Sequence, residues 1–433
     1  MVAAAADGAA VLSSAAIISL TARSLSNRKL TALLTVLAIA LSVMLLLGVE
    51  RLRAQARASF AHTIAGTDLI VGARSGAIPL LLYSVFRIGD ATNTISWDSY
   101  KAVAAHPRVA WTAPISLGDS HRGYRVVGTT TAFFEHYRYG RRQALELDRG
   151  QRFDGVFEAV IGADVARELR YRVGQTITVA HGVSEVALRA HDDKPFTVVG
   201  ILRPTGTPVD RSIHVSLAAI EAIHLNWQAG APVPGLTISP EQVAKFSLQP
   251  KEITAVLVGL TSRIATFEVQ RFVNDYDREP LLAILPGATL HTLWDMLGMV
   301  EQVLLAVSVL VLLVSILGMV AILLNSLNER RRELAILRSV GARPADIVML
   351  VVGESLLLAL LGIAVGLLLL YLLLLIAQPL LLSHAGLAID ITMPSGHELL
   401  LLALVVLAAT LAGLIPAYRA YRYSLADGLI IRV

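Results

Sequence analysis

Imidazoles, carboxylates and clustered arginines are the side chains in this chain whose spacing raises a chemical question. The eleven histidines are His62, His106, His121, His136, His181, His191, His214, His224, His291, His384 and His397, and all fall on the expected outer side of the membrane. His181 and His191, with Asp192 or Asp193, would offer imidazole and carboxylate ligands suited to zinc if their segments pair. No His-x-x-x-His spacing supports that set, so solvated surface histidines are the plainer expectation and no metal site is assigned. Catalysis by this chain is not expected either, because no nucleophile elbow or HExxH helix is present. A Gly-x-x-x-x-Gly-Lys-Ser/Thr loop to cradle phosphates is also missing, so no nucleotide cofactor is expected on this chain. Cysteine is absent, which removes disulfides and thiolate chemistry.

The densest charge lies in Asn328 to Leu350, NERRRELAILRSVGARPADIVML. Arg330, Arg331, Arg332, Arg338 and Arg343 outnumber Glu329, Glu333 and Asp346, and short loops rich in Lys and Arg stay on the cytoplasmic side of a membrane. Leu334, Leu337 and Gly341 fall on one side at helical spacing, and Gly341 followed by Pro344 is a stop signal. A helix of roughly three turns lying across the membrane mouth is expected here.

The elements that must hold this insert are apolar. Mean hydropathy of +0.64 and 55% hydrophobic residues place part of the chain in lipid. Leu30 to Val49, Met299 to Leu324, Ile347 to Ala377 and Glu398 to about Pro416 are each long enough to span. Arg28 and Lys29 set the first amino end inside, and Gln378 to His397, without Lys or Arg, suits an outer loop. Both termini are then cytoplasmic, with residues 1–29 read as a surface amphipathic helix and 417–433 as a tail. Glu354 falls inside the third span, where a charge must face other helices, and is assigned a structural role, pairing with an arginine of the insert. Gly362 and Gly366 have the spacing that lets helices approach closely. Glu50, Arg51, Arg53, Gln55 and Arg57 suggest that the first span continues as a stalk to about Thr63, and His291 to Leu297 reads as a second stalk.

Between the stalks, residues 66–290 alternate short β-branched runs with Gly, Pro and Asp, the pattern of a mixed α/β domain. Expected strands include Thr67–Val71, Val109–Ser116, Tyr124–Thr129, Ala159–Ile161, Thr176–Val179, Phe196–Leu202, Ile213–Val215 and Ile253–Leu260. Expected helices are Ser96–Ala105, Gly162–Leu169, Leu217–Ile223 and Arg263–Asn274. The net charge of +4 reflects the membrane-flanking arginines, and no basic stripe with interleaved aromatics points to nucleic acid.

The string ERRRELAILRSVGA closely resembles the coupling segment of the FtsX-like permease family, the membrane subunits of MacB-type ABC transporters. Glu158 to Val179, Phe196 to Ile220 and the tail PAYRAYRYSLADGLI resemble the same family. The resemblance implies an integral-membrane, four-span α-helical bundle with a large extracytoplasmic MacB-type domain between spans 1 and 2, its second lobe at roughly 111–209. It implies that Glu329, Arg330, Arg331, Arg332, Glu333, Ile336, Leu337, Arg338 and Gly341 couple to a separate ABC ATPase that binds ATP and Mg. The implied assembly is a homodimer of permease with two ATPases in a bacterial inner membrane, with a periplasmic adaptor or substrate-binding protein as further partner. Its expected action is mechanotransmission for export or extraction of a substrate. The rival expectation is an FtsX-like regulator that activates a cell-wall hydrolase. The large, two-lobed outer domain favours transport.

Overall fold

Hydrocarbon offers backbone N–H and C=O groups no partner, so a run that crosses it must close its hydrogen bonds within a helix. The computed structural model describes residues 28–182, 193–228, 231–232, 240–243, 245–339, 342–385 and 392–422. Four of its helices are long and apolar enough to cross a membrane. They are α1 (Lys29–Thr63), α3 (Pro286–Glu329), α5 (Pro344–Ala385) and α6 (Gly396–Arg422), while α2 (Leu217–His224) belongs to the sheet-bearing region and α4 (Arg331–Ser339) lies between α3 and α5. With 35, 44 and 42 residues, α1, α3 and α5 run to roughly 50–70 Å, well beyond a hydrocarbon core of ~30 Å. The expected stalks are therefore parts of α1 and α3, each one uninterrupted helix. Helix α6 also passes its expected end at Pro416, which leaves only the Ala412 carbonyl without its usual donor. The expected amphipathic helix before Arg28, the tail beyond Arg422, and Gly341 all lie outside the described residues.

The chain divides into two compact units, one containing α1 up to Gln55 and most of the chain from Gly298 onward, the other built chiefly on Ala56–Leu297. In the first unit small residues set the helix approaches. A Cβ on Gly362 would stand 2.6 Å from Cγ2 of Ile39, and one on Gly366 would stand 2.8 Å from the Ala40 carbonyl oxygen, so the paired glycines of α5 are where α1 packs. Ser42 Oγ meets Ser315 Oγ at 2.7 Å between α1 and α3. Gly413 of α6 admits Ser355 of α5 in the same way. These contacts suit membrane packing, where apolar surface gains little by leaving lipid and close van der Waals fit and hydrogen bonds hold helices together.

The second unit is organised by a mixed sheet of eleven strands, β1 (Leu69–Ala73), β2 (Val109–His121), β3 (Tyr124–Thr129), β4 (Leu147–Gly150), β5 (Glu158–Ile161), β6 (Thr176–Ile177), β7 (Ala180–His181), β8 (Phe196–Leu202), β9 (Ser212–Ser216), β10 (Ala255–Leu260) and β11 (Leu281–Ile284). Their order is β11-β1-β10-β2-β3-β9-β5-β8-β4, with β7 against β2 and β6 against β8. Strand β2 belongs to both halves: Val109–Ile115 pairs β10, and Ser116–His121 pairs β3. Successive residues of β1 point to opposite faces, Ile70 into one core and Leu69 and Val71 into another. All five are buried because helices cover both faces. A third core gathers Ile161, Val198, Ile213, Val215 and Ile223.

Strands β3 and β8 have the bounds expected from sequence, and the other expected strands shift by one to a few residues. The expected Thr176–Val179 strand is split into β6 and β7. Strands β4 and β11 and the helices Ala77–Leu81 and Thr131–His136 were not expected. Architecture as a whole matches the expectation: a four-span helical bundle, with a mixed α/β domain inserted between the first and second spans.

Candidate coupling site

Helix α4 has two unlike faces. Leu334 and Ala335 are buried, and Leu334 packs with Leu327 of α3, Ile347 and Val351 of α5, and Ala417 and Ala420 of α6, with Leu337 half-buried beside them. That apolar contact seats the short helix across the ends of three long ones. The other face carries Arg331, Arg332, Glu333 and Ile336 into the open, and Ile336 is 58% exposed. Arg338 is half-buried at the last turn. After the helix the Ala342 N–H donates to Leu337 O, and the Arg343 N–H donates to the Asp346 carboxylate, which caps the start of α5 around Pro344.

Behind α4 lies a buried charge. Arg330 is 8% exposed and Glu354 4% exposed. Arg330 Nη1 donates to Glu354 Oε2 at 3.2 Å while its Nε donates to Glu333 Oε2 at 3.2 Å. An unpaired carboxylate at this depth would cost several kcal/mol, on the order of the penalty for an isolated buried ion. The arginine that neutralises Glu354 lies between the end of α3 and the start of α4, at the junction of the two helices. Glu329, on the last turn of α3, pairs instead with Arg28 at 2.9 Å. The exposed charges and Ile336 of α4 make a surface suited to contact with a partner.

The opposite end of the same bundle holds a second buried pair, which reading the chain as a stalk missed. Arg51 is 7% exposed: its Nε donates to Glu398 Oε1 at 2.7 Å and its Nη2 donates to Tyr371 OH at 3.2 Å and to Thr392 O at 2.9 Å. The signal available in sequence was Glu398 itself, a lone acid opening an apolar run.

In the outer unit, both stalk segments are anchored by aromatics. The Arg57 guanidinium lies over the Trp294 ring at 5.6 Å, the Tyr137 hydroxyl donates to Thr63 O at the end of α1, and Leu290 enters the core with Phe133, Phe134 and Tyr137. Burial pushes the Tyr137 phenol up to about 12, so it stays a hydrogen-bond donor across the physiological range.

The histidines are placed differently from one another. His121 is spoken for by Thr178 O and by Tyr171 OH. His214 is fully buried beside Phe133 and Phe134. The pairing considered for His181 with His191 cannot be followed, since His191 and Asp192 lie outside the described residues; His181 instead meets Asp119 of β2 and His224 of α2. The hydrogen bond to Asp119, opposed by partial burial, holds His181 above its ordinary pKa.

Comparison with known proteins agrees with this architecture. Residues 32–265 match the MacB-like periplasmic core domain and residues 305–425 the FtsX-like permease C-terminal domain. Among curated relatives, the macrolide export ATP-binding/permease protein MacB of Azoarcus sp. is 25% identical over 285 residues, covering 64% of this chain and 41% of that protein. The pyoverdine export ATP-binding/permease protein PvdT of Pseudomonas entomophila is 23% identical over 339 residues, covering 76% and 47% respectively. The chain thus spans less than half the length of these relatives. The crystal structure of the periplasmic region of MacB from Actinobacillus actinomycetemcomitans shares 10% identity over 53% of this chain and 94% of that one at a TM-score of 0.34, too slight a likeness to argue from. With one match covering more than half of the chain and the other covering the segment that holds α4, the chain belongs to the MacB-type, FtsX-like ABC transporter permease family.

Proposed function

We propose that this chain is the permease of a MacB-type transporter that carries the work of ATP hydrolysis from the cytoplasmic face to the outer domain. The observation that carries this reading is α4: a helix seated by Leu334 and Ala335 on the ends of α3, α5 and α6, presenting Arg331, Arg332 and an exposed Ile336. An apolar residue ringed by arginines fits a groove on an acidic-rimmed partner. The partner is an ABC ATPase that binds ATP and Mg, two copies of each subunit forming the working assembly, in an inner membrane with both termini cytoplasmic. Closure of the ATPases displaces α4, and α1 and α3, each a single helix anchored at its far end by Tyr137, Arg57 and Leu290, pass that displacement outward. Export of a substrate delivered outside the membrane, through a periplasmic adaptor or binding protein, follows from such a motion without a route between the spans.

The match over residues 305–425 to the FtsX-like domain also supports a second reading, in which the same motion activates a docked partner such as a cell-wall hydrolase. Purification of the tagged chain in mild detergent from its native host, followed by mass spectrometry, tests both. An ABC ATPase should accompany the wild type and be lost from a correctly inserted Arg331→Glu, Arg332→Glu double variant. Retention of the ATPase by that variant contradicts the assigned surface, and a hydrolase in place of an adaptor selects the second reading.

A further inference from the structure

The geometry points to a divalent transition-metal site of the zinc class in the outer domain, formed by Asp119, His181 and His224. The three come from three elements. Asp119 is near the end of β2, His181 is its direct antiparallel partner on β7, and His224 closes the last turn of α2. Their donor atoms all lie within 4.8 Å of one another. Asp119 Oδ1 is 3.1 Å from His181 Nδ1 and 3.7 Å from His224 Nε2, and the two imidazole rings stand 5.4 Å apart at 81°. Ligands at ~2.0–2.2 Å from a tetrahedral zinc stand roughly 3.2–3.6 Å from each other. Small side-chain rotations convert the observed triangle into that one.

Two further features separate this cluster from a chance meeting of polar side chains. His224 Nδ1 is 2.8 Å from the carbonyl oxygen of Ile220, an acceptor only, so Nδ1 carries the proton and Nε2 is the nitrogen turned towards Asp119. Backbone support of this kind is what orients metal-binding imidazoles. His224 Nε2 stands 3.7 Å from Asp119 Oδ1, a separation that two ligands of one cation can have. Asp119 is also only 3% exposed, and a buried carboxylate is stabilised by hydrogen bonds or by positive charge beside it. Two imidazoles and one carboxylate match zinc, copper or nickel and not the all-oxygen demand of magnesium or calcium. The His181 side chain remains 47% exposed, which leaves a side for entry and for water as a fourth ligand. A bound ion would tie the β2–β7 edge to α2.

The test uses the full-length chain in detergent, without a polyhistidine tag, stripped by chelator and titrated with Co²⁺ and then Zn²⁺. The wild type should develop visible d–d absorption that saturates at one Co²⁺ per chain and is bleached by Zn²⁺. His181→Ala and His224→Ala should abolish the bands and weaken zinc binding by ~100-fold or more, beyond the loss of an outer-shell partner. His106→Ala, elsewhere on the surface, should leave both unchanged. Asp119→Asn probes the third ligand. Because Asp119 is buried, the half-exposed His181 is the deciding substitution, with an unchanged melting temperature in metal-free buffer as the check on folding. Absence of a stoichiometric site in the wild type, or wild-type binding in the His181→Ala, His224→Ala double variant, overturns the proposal.

Discussion

The membrane unit buries two arginine–glutamate pairs, and they are built for different tasks. Arg51 is held on several sides: Glu398 through both Nε and Nη2, Tyr371 and Thr392. It staples α1 to the start of α6 and to α5. Arg330 divides its guanidinium between buried Glu354 and exposed Glu333, each at 3.2 Å, at the hinge between α3 and α4. The first pair is a fixed clasp and the second sits where a docked partner could shift it. A buried pair gains little over an apolar pair of the same shape, but losing one member leaves an uncompensated charge. The two sites should therefore respond to the same substitution in different ways.

The largest expected effect is at the clasp. Arg51→Ala should destabilise the detergent-solubilised protein by ~3–5 kcal/mol, and joint replacement of Arg51 and Glu398 by Met should recover most of it. Arg330→Ala removes two side-chain hydrogen bonds where Arg51→Ala removes four, so it should cost less stability and should act mainly on ATPase association. Equal losses of stability at both sites, with association intact, would erase the distinction drawn between them.

The outer domain solves the same problem of a buried ionisable group without a counter-charge. Burial, reinforced by the nearby Arg87 charge, lowers the His214 pKa to about 3, while the unfolded chain takes up the proton near the ordinary value of ~6.5. Stability contributed by neutral His214 is complete above the unfolded value and falls as pH drops towards the folded one. Between pH 7 and pH 5 this amounts to ~2 kcal/mol. His214→Leu should flatten that part of the melting-temperature profile, and an unchanged slope would mean that His214 is not kept neutral.

The smallest effect on stability belongs to the exposed face of α4. Ile336→Ser should change unfolding by less than ~0.5 kcal/mol, yet reduce ATPase association, since Ile336 is more than half exposed and makes no core. Unchanged association would move the docking surface elsewhere.

Much of this was legible in the chain because its signals are long. Twenty uncharged residues from Leu30 to Val49, or alternating β-branched runs such as Phe196–Leu202, leave little choice of structure. Gly362 and Gly366 pointed to close approach, and α1 is what approaches. The misses have local causes. Strand β4, LDRG, is mostly exposed and carries no alternation, and Thr131–His136 is too short to show a helical period. Arg51 read as one of several stalk residues with no partner named, since Glu398 lies 347 residues away. The Asp119, His181 and His224 cluster is likewise assembled from three distant segments, so no spacing rule could name it.

The central claim, that displacement travels along α1 and α3 into the outer domain, is tested most directly by distance measurement on the assembled complex. The sequence has no cysteine, so Asp98→Cys places one spin label on an exposed outer-domain helix, and pulsed electron resonance reads the distance between the two permease chains of the proposed assembly with and without ATP. A Gly-Gly-Ser insertion after Arg57 adds residues that each cost up to ~1 kcal/mol as helix formers and favours a local hinge. The account predicts an ATP-dependent shift in the uninterrupted protein and none in the insertion variant, with ATP hydrolysis retained in both. The same shift in the insertion variant would contradict it.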